Sequence, residues 1–531
     1  MALRSSETSS GGATLIIRAD ASATVGTGHV MRCLALGQAW RDAGGRVVFL
    51  TTTTNEWLLL QLSEEGFESL VLGRPYPAAE DWQATRAIAM RQPDPWVLLD
   101  GYHFDLDYQR RVKDSGFKLA VIDDTAALPH YCADVLLNQN VYADDMTYSC
   151  ESYTRRLLGA RYALLRREFA AYRGVRRAAR GLARRILVTM GGADPQGATL
   201  KVLAALQEIA LPELEIRVVV GAANAQLEDI RAATTSLGCS MELIEAVPKM
   251  AEHLAWADVA IAASGTTAIE LAFMGVPALL VVTAENQSPI AAKFEQLGAA
   301  RDLGWVSQLS PARIRDELRD LLCSQQARAT MAERGQRLVD GEGAERVAVA
   351  LGGEKVRLRR VRAEDCERLW AWRNEELVRA MSLSSEPITW DTHRSWFSTK
   401  LADPRCLIFL GVNLEEQPVG QVRFDLDEHV SAEVSITVGE EWRGRGYGTA
   451  LLAAGMRKIA TAGVAVLHAL IKPGNVASIG MFERVGFRRI GELKAGRATV
   501  LHYVRESGEA RRTGPAMESV TCCANARGAT K

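Results

Sequence analysis

The sequence predicts an α/β protein in which two lobes built on parallel sheets precede a smaller α+β unit. Its 531 residues suggest three or four compact units at roughly 150 residues per domain. Apolar runs alternate with helical or loop stretches from residue 14 to residue 350, the rhythm of parallel strands covered on both faces. From residue 356 shorter strands surround a glycine-rich turn, so this part is expected to be α+β.

Composition argues against several functional classes. Hydrophobic residues make up 48% and charged residues 24%, the balance of an ordinary protein with buried cores. The net charge is −1, whereas proteins that bind nucleic acids or anionic membranes normally carry a basic excess. We therefore expect neither a nucleic acid nor a membrane as partner, and the oligomeric state stays open.

Nine cysteines are scattered along the chain, without a CxxC pair and without histidines at metal-ligand spacing. This pattern favours a reduced, cytoplasmic setting and predicts no metal site. The first thirteen residues have no apolar segment typical of a secretory signal. The longest apolar stretch, Val276–Val282, is too short to span a bilayer.

The predicted division is, in order, a disordered N-terminus at 1–13, a first lobe at 14–165, a second lobe at 166–350, a linker at 351–355, an α+β unit at 356–504 and a disordered tail at 505–531. Strands of the first lobe are expected at TLIIRAD, RVVFLTT, PWVLLDGY, KLAVIDD and ADVLLNQN. Those of the second lobe are expected at RRILVTMGG, LEIRVVVG, MELIEAV, ADVAIAASG and VPALLVV. A basic segment at 166–185 is predicted to be helical and to connect the lobes, with a ligand cleft between them.

The first glycine loop lies between a strand and a helix, where ligands of open α/β sheets bind. It reads Gly26-Thr-Gly28-His29-Val-Met-Arg32 and differs from a dinucleotide fingerprint, because an imidazole follows the second glycine. The helix dipole disfavours a protonated imidazole at a helix start, which favours a neutral His29 acting as a general base. The alternative is a structural histidine, but the position after G-x-G at a cleft favours the base.

The second lobe carries a turn that predicts a nucleotide site. Its residues Ser264, Gly265, Thr266 and Thr267 lead into a helix whose first N–H groups can hold a diphosphate. Glu270, one turn further, can accept both ribose hydroxyls, or it is only a capping acid. After the next strand, Asn286 and Gln287 are expected to line the sugar pocket.

The C-terminal unit carries a second glycine-rich turn between a strand and a helix. The predicted contacts of this turn with an anion are Val438, Arg443, Gly444, Arg445, Gly446, Tyr447, Gly448 and Thr449. Glycines let the backbone approach an anion and the arginines add charge-assisted contacts. A purely structural turn is the alternative, and the absence of a Walker lysine argues against a nucleoside triphosphate loop.

A second motif follows about thirty residues later, with Asn475, Ser478, Phe482 and Gly486-Phe487 at fixed spacing. The two motifs together resemble the GNAT acetyltransferase family over residues 356–504. The resemblance implies that the turn and Asn475, Ser478 and Phe482 bind acetyl-coenzyme A, and that acetyl passes directly to an amine. Many members have a tyrosine acid where this chain has Phe482, so water, Ser478 or another group would donate the proton.

Two further features of the same unit bear on its acceptor. Glu433 is a candidate base acting through water, or an ordinary solvated strand carboxylate. The segment LWAWRNEELVRAMS resembles the opening helices of GNAT enzymes that acetylate nucleotide-linked amino sugars. Trp370 and Trp372 would then cover the acceptor, unless they pack in the core.

Residues 14–350 carry a wider resemblance. The lobes are Rossmann-like, and the series G-T-T-x-x-E…G-x-P…N-Q resembles the donor-binding lobe of GT-B glycosyltransferases. Together with G-x-G-H-x-x-R, the blocks at 122–140, 157–169 and 188–199 resemble the UDP-sugar hydrolases of pseudaminic acid biosynthesis. The resemblance implies that His29 activates water at the anomeric carbon. It also implies that Arg18 and Asp20 help to position the sugar. Further candidate residues in the cleft are Asn138, Asn140, Gly191 and Gly192, and more weakly Tyr102 and His103.

The two resemblances together imply consecutive reactions on one chain. The C-terminal unit would acetylate the 4-amine of a UDP-linked amino sugar with acetyl-coenzyme A, and the lobes would then release UDP. Three alternatives stay open: a true GT-B glycosyltransferase, a non-catalytic GNAT-like module, and the legionaminic acid hydrolase that also epimerises C2. Arg18 and Asp20 also have an alternative, a structural ion pair.

Overall fold

The computed structural model describes residues 13–22, 26–176, 181–208, 213–221, 224–235, 240–352, 355–427, 431–460, 463–495 and 498–506. The two termini predicted to be disordered lie outside these residues, except for Ala13, Arg505 and Glu506. The chain divides between Gly352 and Gly353 into two compact units, here called the N-terminal unit and the C-terminal unit.

The strands are, in chain order, β1 (Thr14–Ala19), β2 (Arg46–Thr51), β3 (Glu68–Val71), β4 (Trp96–Asp100), β5 (Lys118–Ile122), β6 (Val135–Asn138), β7 (Arg155–Leu158), β8 (Arg185–Thr189), β9 (Glu215–Val220), β10 (Ser240–Glu245), β11 (Val259–Ala263), β12 (Ala278–Val282), β13 (Arg301–Trp305), β14 (Arg357–Arg360), β15 (Cys406–Val412), β16 (Pro418–Leu426), β17 (Ser431–Val438), β18 (Val466–Ile471), β19 (Arg488–Ala495) and β20 (Ala498–Glu506).

The α-helices are α1 (Gly28–Asp42), α2 (Glu56–Glu64), α3 (Ala79–Ala89), α4 (Leu106–Asp114), α5 (Ala198–Gln207), α6 (Leu227–Thr235), α7 (Met250–Trp256), α8 (Thr266–Met274), α9 (Ser288–Gln296), α10 (Pro311–Cys323), α11 (Gln325–Leu338), α12 (Gly343–Leu351), α13 (Cys366–Asn374), α14 (Glu376–Met381), α15 (Trp390–Ala402), α16 (Tyr447–Ala460) and α17 (Val476–Arg484). Short 3₁₀ helices lie at Ala143–Asp145, Ala160–Tyr162, Arg167–Tyr172, Glu285–Gln287, Val306–Gln308, Ala363–Asp365 and Glu440–Trp442.

The first sheet of the N-terminal unit is parallel throughout, with strand order β3-β2-β1-β4-β5-β6-β7. Every residue of β1 is buried, as expected of a central strand whose two faces are both covered. The strand order reverses between β1 and β4, which is where ligands of open α/β sheets bind. Ala19 lies opposite Asp100 in the register of these two strands, so the ends of both open onto this point.

The second sheet is also parallel, with order β10-β9-β8-β11-β12-β13. After this lobe the chain returns to the first one, because α12 packs against α1. Val347, Ala348 and Leu351 of α12 are buried in the core around β1. The sequence assigned α12 to the second lobe, since its amphipathic pattern does not say which sheet it covers.

The C-terminal unit has a sheet of order β14-β15-β16-β17-β18-β20-β19, antiparallel except where β17 pairs with β18. That parallel pairing covers only Ser431–Glu433 against Val466–His468. The remaining lengths of β17 and β18 therefore separate, which leaves an opening in the sheet. Helix α16 packs on one face through Leu451 and Leu452, and α13 and α15 pack on the other.

The predicted fold class, two parallel α/β lobes followed by an α+β unit, is confirmed. The basic segment at 166–185 was wrongly predicted to be one helix, since its described part forms only the 3₁₀ turn Arg167–Tyr172, and 177–180 lie outside the description. Edge strands such as β3, whose four residues are all exposed, lack the apolar run that signals a strand. Among the described residues, no helix combines the length and apolarity needed to cross a bilayer.

Candidate active sites and their relatives

His29 lies in the first turn of α1 and contacts the end of a neighbouring strand. Its Nδ1 is 2.5 Å from Oδ1 of Asp100, the last residue of β4, whose side chain is fully buried. A carboxylate can only accept, so it fixes the tautomer that carries the proton on Nδ1. Nε2 has no hydrogen bond to any described residue. The arrangement leaves this nitrogen able to accept a proton.

Arg32, one turn further along α1, joins Asp100 to a second carboxylate. Its Nε and Nη2 donate to Asp100, both at 2.7 Å, and its Nη1 donates to both oxygens of Asp124 at 2.9 Å. Burial opposes ionisation of Asp100, but Arg32 and His29 outweigh it and hold the pKa of Asp100 below its usual range. Burial also opposes ionisation of Asp124, and Arg32 lowers the pKa of that carboxyl. Two carboxylates and one guanidinium leave a net negative charge beside the imidazole.

Tyr102 and Asn286 extend this network towards the second lobe. Tyr102 lies edge-on to His29 with ring centroids 5.1 Å apart and donates its hydroxyl to Asp124 at 3.1 Å. Asn286 Nδ2 donates to the same hydroxyl oxygen at 2.9 Å. Burial, and then the charge of Asp124, raise the pKa of Tyr102, so the phenol keeps its proton. Tyr102 thus links the predicted residues Asn286 and His29.

Arg18 and Asp20 form an interior ion cluster. The Arg18 side chain is fully buried, and it donates to Asp81 at 3.0 and 2.6 Å and to Asp20 at 2.6 and 2.8 Å. The donors of Arg18 face protein carboxylates away from solvent, which is the structural ion pair given as the alternative. Asp20 retains 17% exposure of its side chain, and His103 Nε2 lies 3.3 Å from it. Asp20 is the member of the pair that can meet a ligand.

The two asparagines predicted to lie in the cleft, Asn138 and Asn140, have different hydrogen-bond partners. Asn138 is fully buried and donates to the hydroxyl of Tyr148 at 2.9 Å, so a direct cleft role for Asn138 is a wrong expectation. Asn140 Nδ2 donates to Asp124 at 2.8 Å and so belongs to the network around Arg32. The signal missed in the sequence was the strand-end acids, Asp100 after VLL and Asp124 after VID.

The loop at Gly26–Gly28 lies close to two other turns of the N-terminal unit, those at Gly192 and at Thr266. A Cβ added at Gly28 would lie 3.7 Å from Thr266 Oγ1, and one added at Gly192 would lie 3.0 Å from Thr27 Oγ1. Gly26 and Gly191, with φ of +75° and +78°, take backbone conformations that favour glycine. Helix α8 begins at Thr266, so its first amides open beside the loop that carries His29.

Other residues of the second-lobe turn are held by the protein. Ser264 is fully buried and donates to the carbonyl of Val281 at 3.2 Å, so its hydroxyl is held by the protein. Gly265 is the residue before α8, and Thr267 is partly exposed in its first turn. Gln287 accepts from the main chain and hydroxyl of Thr283, both at 3.0 Å, which shapes the turn.

Glu270 lines a small open cleft. The cleft walls also include Arg32, Arg166 and Thr266. Arg166 donates to Glu270 at 3.3 Å and forms an ion pair with Glu168 at 2.7 Å. Burial raises the pKa of Glu270, and Arg166 offsets part of that rise. The carboxyl of Glu270, which was predicted to bind ribose, thus has the guanidinium of Arg166 as its partner. Arg166 lies 104 positions away in the chain, so no local pattern indicated this pairing.

The C-terminal turn presents backbone rather than side chains. Gly444 and Gly446 have φ of +71° and +83°, and α16 begins directly after them at Tyr447. A Cβ on Gly448 would lie 2.8 Å from Met481 Sδ and 3.4 Å from Val438 Cγ2, so the turn is packed closely against β17 and α17. The positive-φ turn, the helix start and the opening beside β17 fit the pyrophosphate and arm of acetyl-coenzyme A. Thr449 follows on α16 and is partly exposed.

The arginines of this turn already have partners. Arg443 donates through Nε to the carbonyl of Val438 at 3.0 Å and forms an ion pair with Glu375. Arg445 lies over the ring of Trp442, with its guanidinium carbon 5.7 Å from the centroid. The expected contact of Arg443 with a pyrophosphate would compete with Glu375.

The second motif begins α17. Asn475 is the residue before this helix and accepts from the amide of Ser478 at 3.2 Å. Phe482 is buried against Phe487, edge to face at 4.9 Å, so the structure makes it a core residue and contradicts its assignment as a cofactor contact. Trp372 is also buried in the core, whereas the partly exposed Trp370 donates to the carbonyl of Ile388 at 2.8 Å. Among the residues described, no group of three or more His, Cys, Asp or Glu side chains is arranged to hold a metal ion.

Two family models match parts of the chain. Residues 355–488 match the acetyltransferase (GNAT) domain, and residues 185–347 match the glycosyltransferase family 28 C-terminal domain. The chain therefore combines a glycosyltransferase-like, nucleotide-sugar-related domain with a GNAT acetyltransferase domain.

Three similar proteins bear on the arrangement. An uncharacterized protein of Methanocaldococcus jannaschii is 23% identical over 90% of this chain and 96% of its own length. The spore coat polysaccharide biosynthesis protein SpsG of Bacillus subtilis is 27% identical over 63% of this chain and 96% of its own. The UDP-2,4-diacetamido-2,4,6-trideoxy-beta-L-altropyranose hydrolase of Campylobacter jejuni is 28% identical over 29% of this chain and 53% of its own. The first similarity extends across both units.

Proposed function

We propose that the N-terminal unit hydrolyses a UDP-linked diacetamido sugar, and that the C-terminal unit acetylates the amine of its precursor. The observation that carries the first half is the His29–Asp100 pair at 2.5 Å, at the reversal of strand order and beside the start of α8. This geometry supports the proposal of a proton acceptor next to a helix terminus suited to a diphosphate. The 28% identity to a UDP-sugar hydrolase supports the choice of substrate.

In the proposed hydrolysis, Nε2 of His29 takes a proton from water as the water oxygen forms a bond to the anomeric carbon. The bond from that carbon to the diphosphate oxygen breaks, and UDP leaves with the electron pair. The first amides of α8, near Thr266 and Thr267, stabilise the charge that develops on the leaving group. Asp100 holds the imidazole and stabilises its protonated form, with Arg32 and Asp124 fixing Asp100 in turn.

In the proposed acetyl transfer, acetyl-coenzyme A supplies a thioester as acyl donor. The turn at Gly444–Gly448 holds its pyrophosphate and the opening between β17 and β18 exposes the thioester carbonyl. The amine nitrogen would form a bond to the thioester carbonyl carbon as the bond from that carbon to sulfur breaks, and coenzyme A would leave as a thiolate that water protonates. Glu433, at the last position of β17 that pairs with β18, takes the amine proton through water. Phe482 supplies no proton, because it is an apolar ring in the core.

The test of the first half is His29→Asn with a UDP-linked diacetamido sugar in ¹⁸O-labelled water. We expect UDP release to fall about a thousandfold, within the range for a lost general base, while UDP affinity changes less than about twofold. His130→Asn, which alters an exposed histidine, serves as the matched control and keeps wild-type turnover. Undiminished turnover in His29→Asn would remove this residue from the base role.

A glycosyltransferase is the second candidate, favoured by the family 28 match over residues 185–347. The same labelled-water reaction separates the two, because hydrolysis places ¹⁸O at C1 of free sugar without any acceptor. Product release that requires an added acceptor would support the glycosyltransferase. NMR coupling between H1 and H2 of the product distinguishes the altro sugar from a C2-epimerised one.

A further inference from the structure

The C-terminal unit contains three arginines that its own carboxylates neutralise only in part, Arg373, Arg379 and Arg423, here called the arginine group. Arg373 donates through Nη2 to the carbonyl of Ser384 at 2.9 Å. Arg423 forms an ion pair with Asp425 at 2.8 Å, a carboxylate that Lys400 shares at 2.9 Å.

Arg379 resembles Arg373 in contacting main-chain carbonyls, those of Asn374 at 3.1 Å and Ser385 at 3.5 Å. Among the described residues, no carboxylate forms an ion pair with Arg373 or Arg379. The nearby acids are Asp425 and Glu433, which face each other across β16 and β17. Lys400 also pairs with Asp403 at 3.8 Å, so Asp425 and Glu433 are left to face the three arginines, which are in excess.

Arg373 also has a donor without a partner. Its Nη1 is buried and makes no hydrogen bond within the described residues, which is costly for a charged donor. Burial lowers the pKa of Arg373, and the charges of Arg379 and Arg423 lower it further. Three like charges are thus held close enough to repel one another, an arrangement that an anionic ligand would relieve.

The arginine group borders the opening in the sheet. Glu375, just after α13, forms an ion pair with Arg443 beyond the end of β17. The carbonyl of Ala380, on α14, accepts from Lys472 beyond the end of β18 at 3.0 Å. The segment from Arg373 to Ala380 therefore spans from one separating strand to the other, beside the place where a thioester would meet an amine.

Arg423 reaches the same side of the sheet. Its neighbours Val422 and Phe424 are buried towards α16, and alternation along β16 places Arg423 on the opposite face. There its guanidinium carbon lies 5.5 Å from the ring centroid of Trp396 on α15. The group thus faces the helices that cover the acceptor side of the opening.

We infer that the arginine group binds phosphate groups of the acetyl acceptor, so that the C-terminal unit acts on a phosphorylated or nucleotide-linked amine. Guanidinium groups match phosphate oxygens in charge and in bidentate geometry. The inference rests on the proposed function of this unit and names the side chains that bind the phosphates of its acceptor. The same phosphate chemistry is also present in acetyl-coenzyme A, so the test separates the two sources.

The experiment measures coenzyme A thiol release by the full chain carrying His29→Asn, which blocks subsequent hydrolysis. In Arg373→Gln and Arg379→Gln we expect the KM for the UDP-linked amino sugar to rise about tenfold or more. The kcat and the KM for acetyl-coenzyme A stay within about twofold, and competitive inhibition by UDP weakens in parallel. Arg368→Gln, an exposed arginine on the same helix α13, is the matched control and changes none of these values.

Each of the following results would overturn the inference. A raised KM for acetyl-coenzyme A alone would assign the phosphates to the coenzyme, and unchanged KM values would remove the anion site. Equal change in Arg368→Gln would indicate a general effect of charge.

A second measurement keeps the anion site testable if the proposed function fails. If no amine is acetylated, the acetyltransferase proposal is wrong, and calorimetric titration with inorganic pyrophosphate then tests the arginines directly. Loss of one binding site per chain in Arg373→Gln or Arg379→Gln supports an anion site, and equal stoichiometry overturns it.

Discussion

Two glycine-rich turns, one in each unit, use the same local architecture for different chemistry. Each lies between a strand and a helix, at Gly26–Gly28 where α1 begins and at Gly444–Gly448 where α16 begins. The first places His29 against the carboxylate of Asp100 at the end of β4, whereas the second presents glycine backbone at a helix start. The turn therefore fixes where a ligand can approach the start of the helix. The side chains that distant strands bring to that place determine the chemistry.

Asp100→Asn tests the first turn most severely. An amide cannot replace the carboxylate that holds Nδ1–H and faces Arg32, so we expect the kcat for UDP release to fall about a thousandfold or more. Steady-state UDP release measures this. Asp107→Asn, at an aspartate whose side chain is 69% exposed, should match wild type. A loss below tenfold would mean that His29 works without its buried partner.

Acid should weaken the same network. Asp100 and Asp124 have lowered pKa values in the fold, so the stability they contribute is present above the unfolded value of about 4 and is lost as pH falls below it. We expect the N-terminal unit to lose about 1–2 kcal/mol more than the double variant Asp100→Asn/Asp124→Asn between pH 6 and pH 3.5. Scanning calorimetry at the two pH values measures the difference. Parallel losses in both proteins would contradict the assignment.

Gly446→Ala tests the second turn with a smaller effect. The nearest atom to an added Cβ is Lys355 Nζ at 3.6 Å, so space is available and only the positive φ of +83° is strained. A cost of about 1–2 kcal/mol should raise the KM for acetyl-coenzyme A several-fold. Gly474→Ala is the control, because it has no neighbour within 4 Å and no positive φ. Equal KM values for acetyl-coenzyme A in both variants would show that coenzyme binding does not depend on the geometry of this turn.

The features predicted from the sequence are those that depend on residues close together along the chain. Strands with long apolar runs, both glycine turns and the helix after each were identified, because periodicity and glycine are local signals. The pairing of His29 with Asp100, 71 residues away, depends on β4 lying next to β1, which no local pattern encodes. For the same reason Phe482 was assigned from motif spacing to the cofactor, although it packs in the core.

The return of α12 to the first lobe determines where this chain can be cut. Val347 and Leu351 fill the interior beside α1, although they come after every strand of the second sheet. A shortened protein ending before Gly343 would leave that interior open to water, even if both sheets were intact. Separate expression of the N-terminal unit should therefore retain the chain through Gly352.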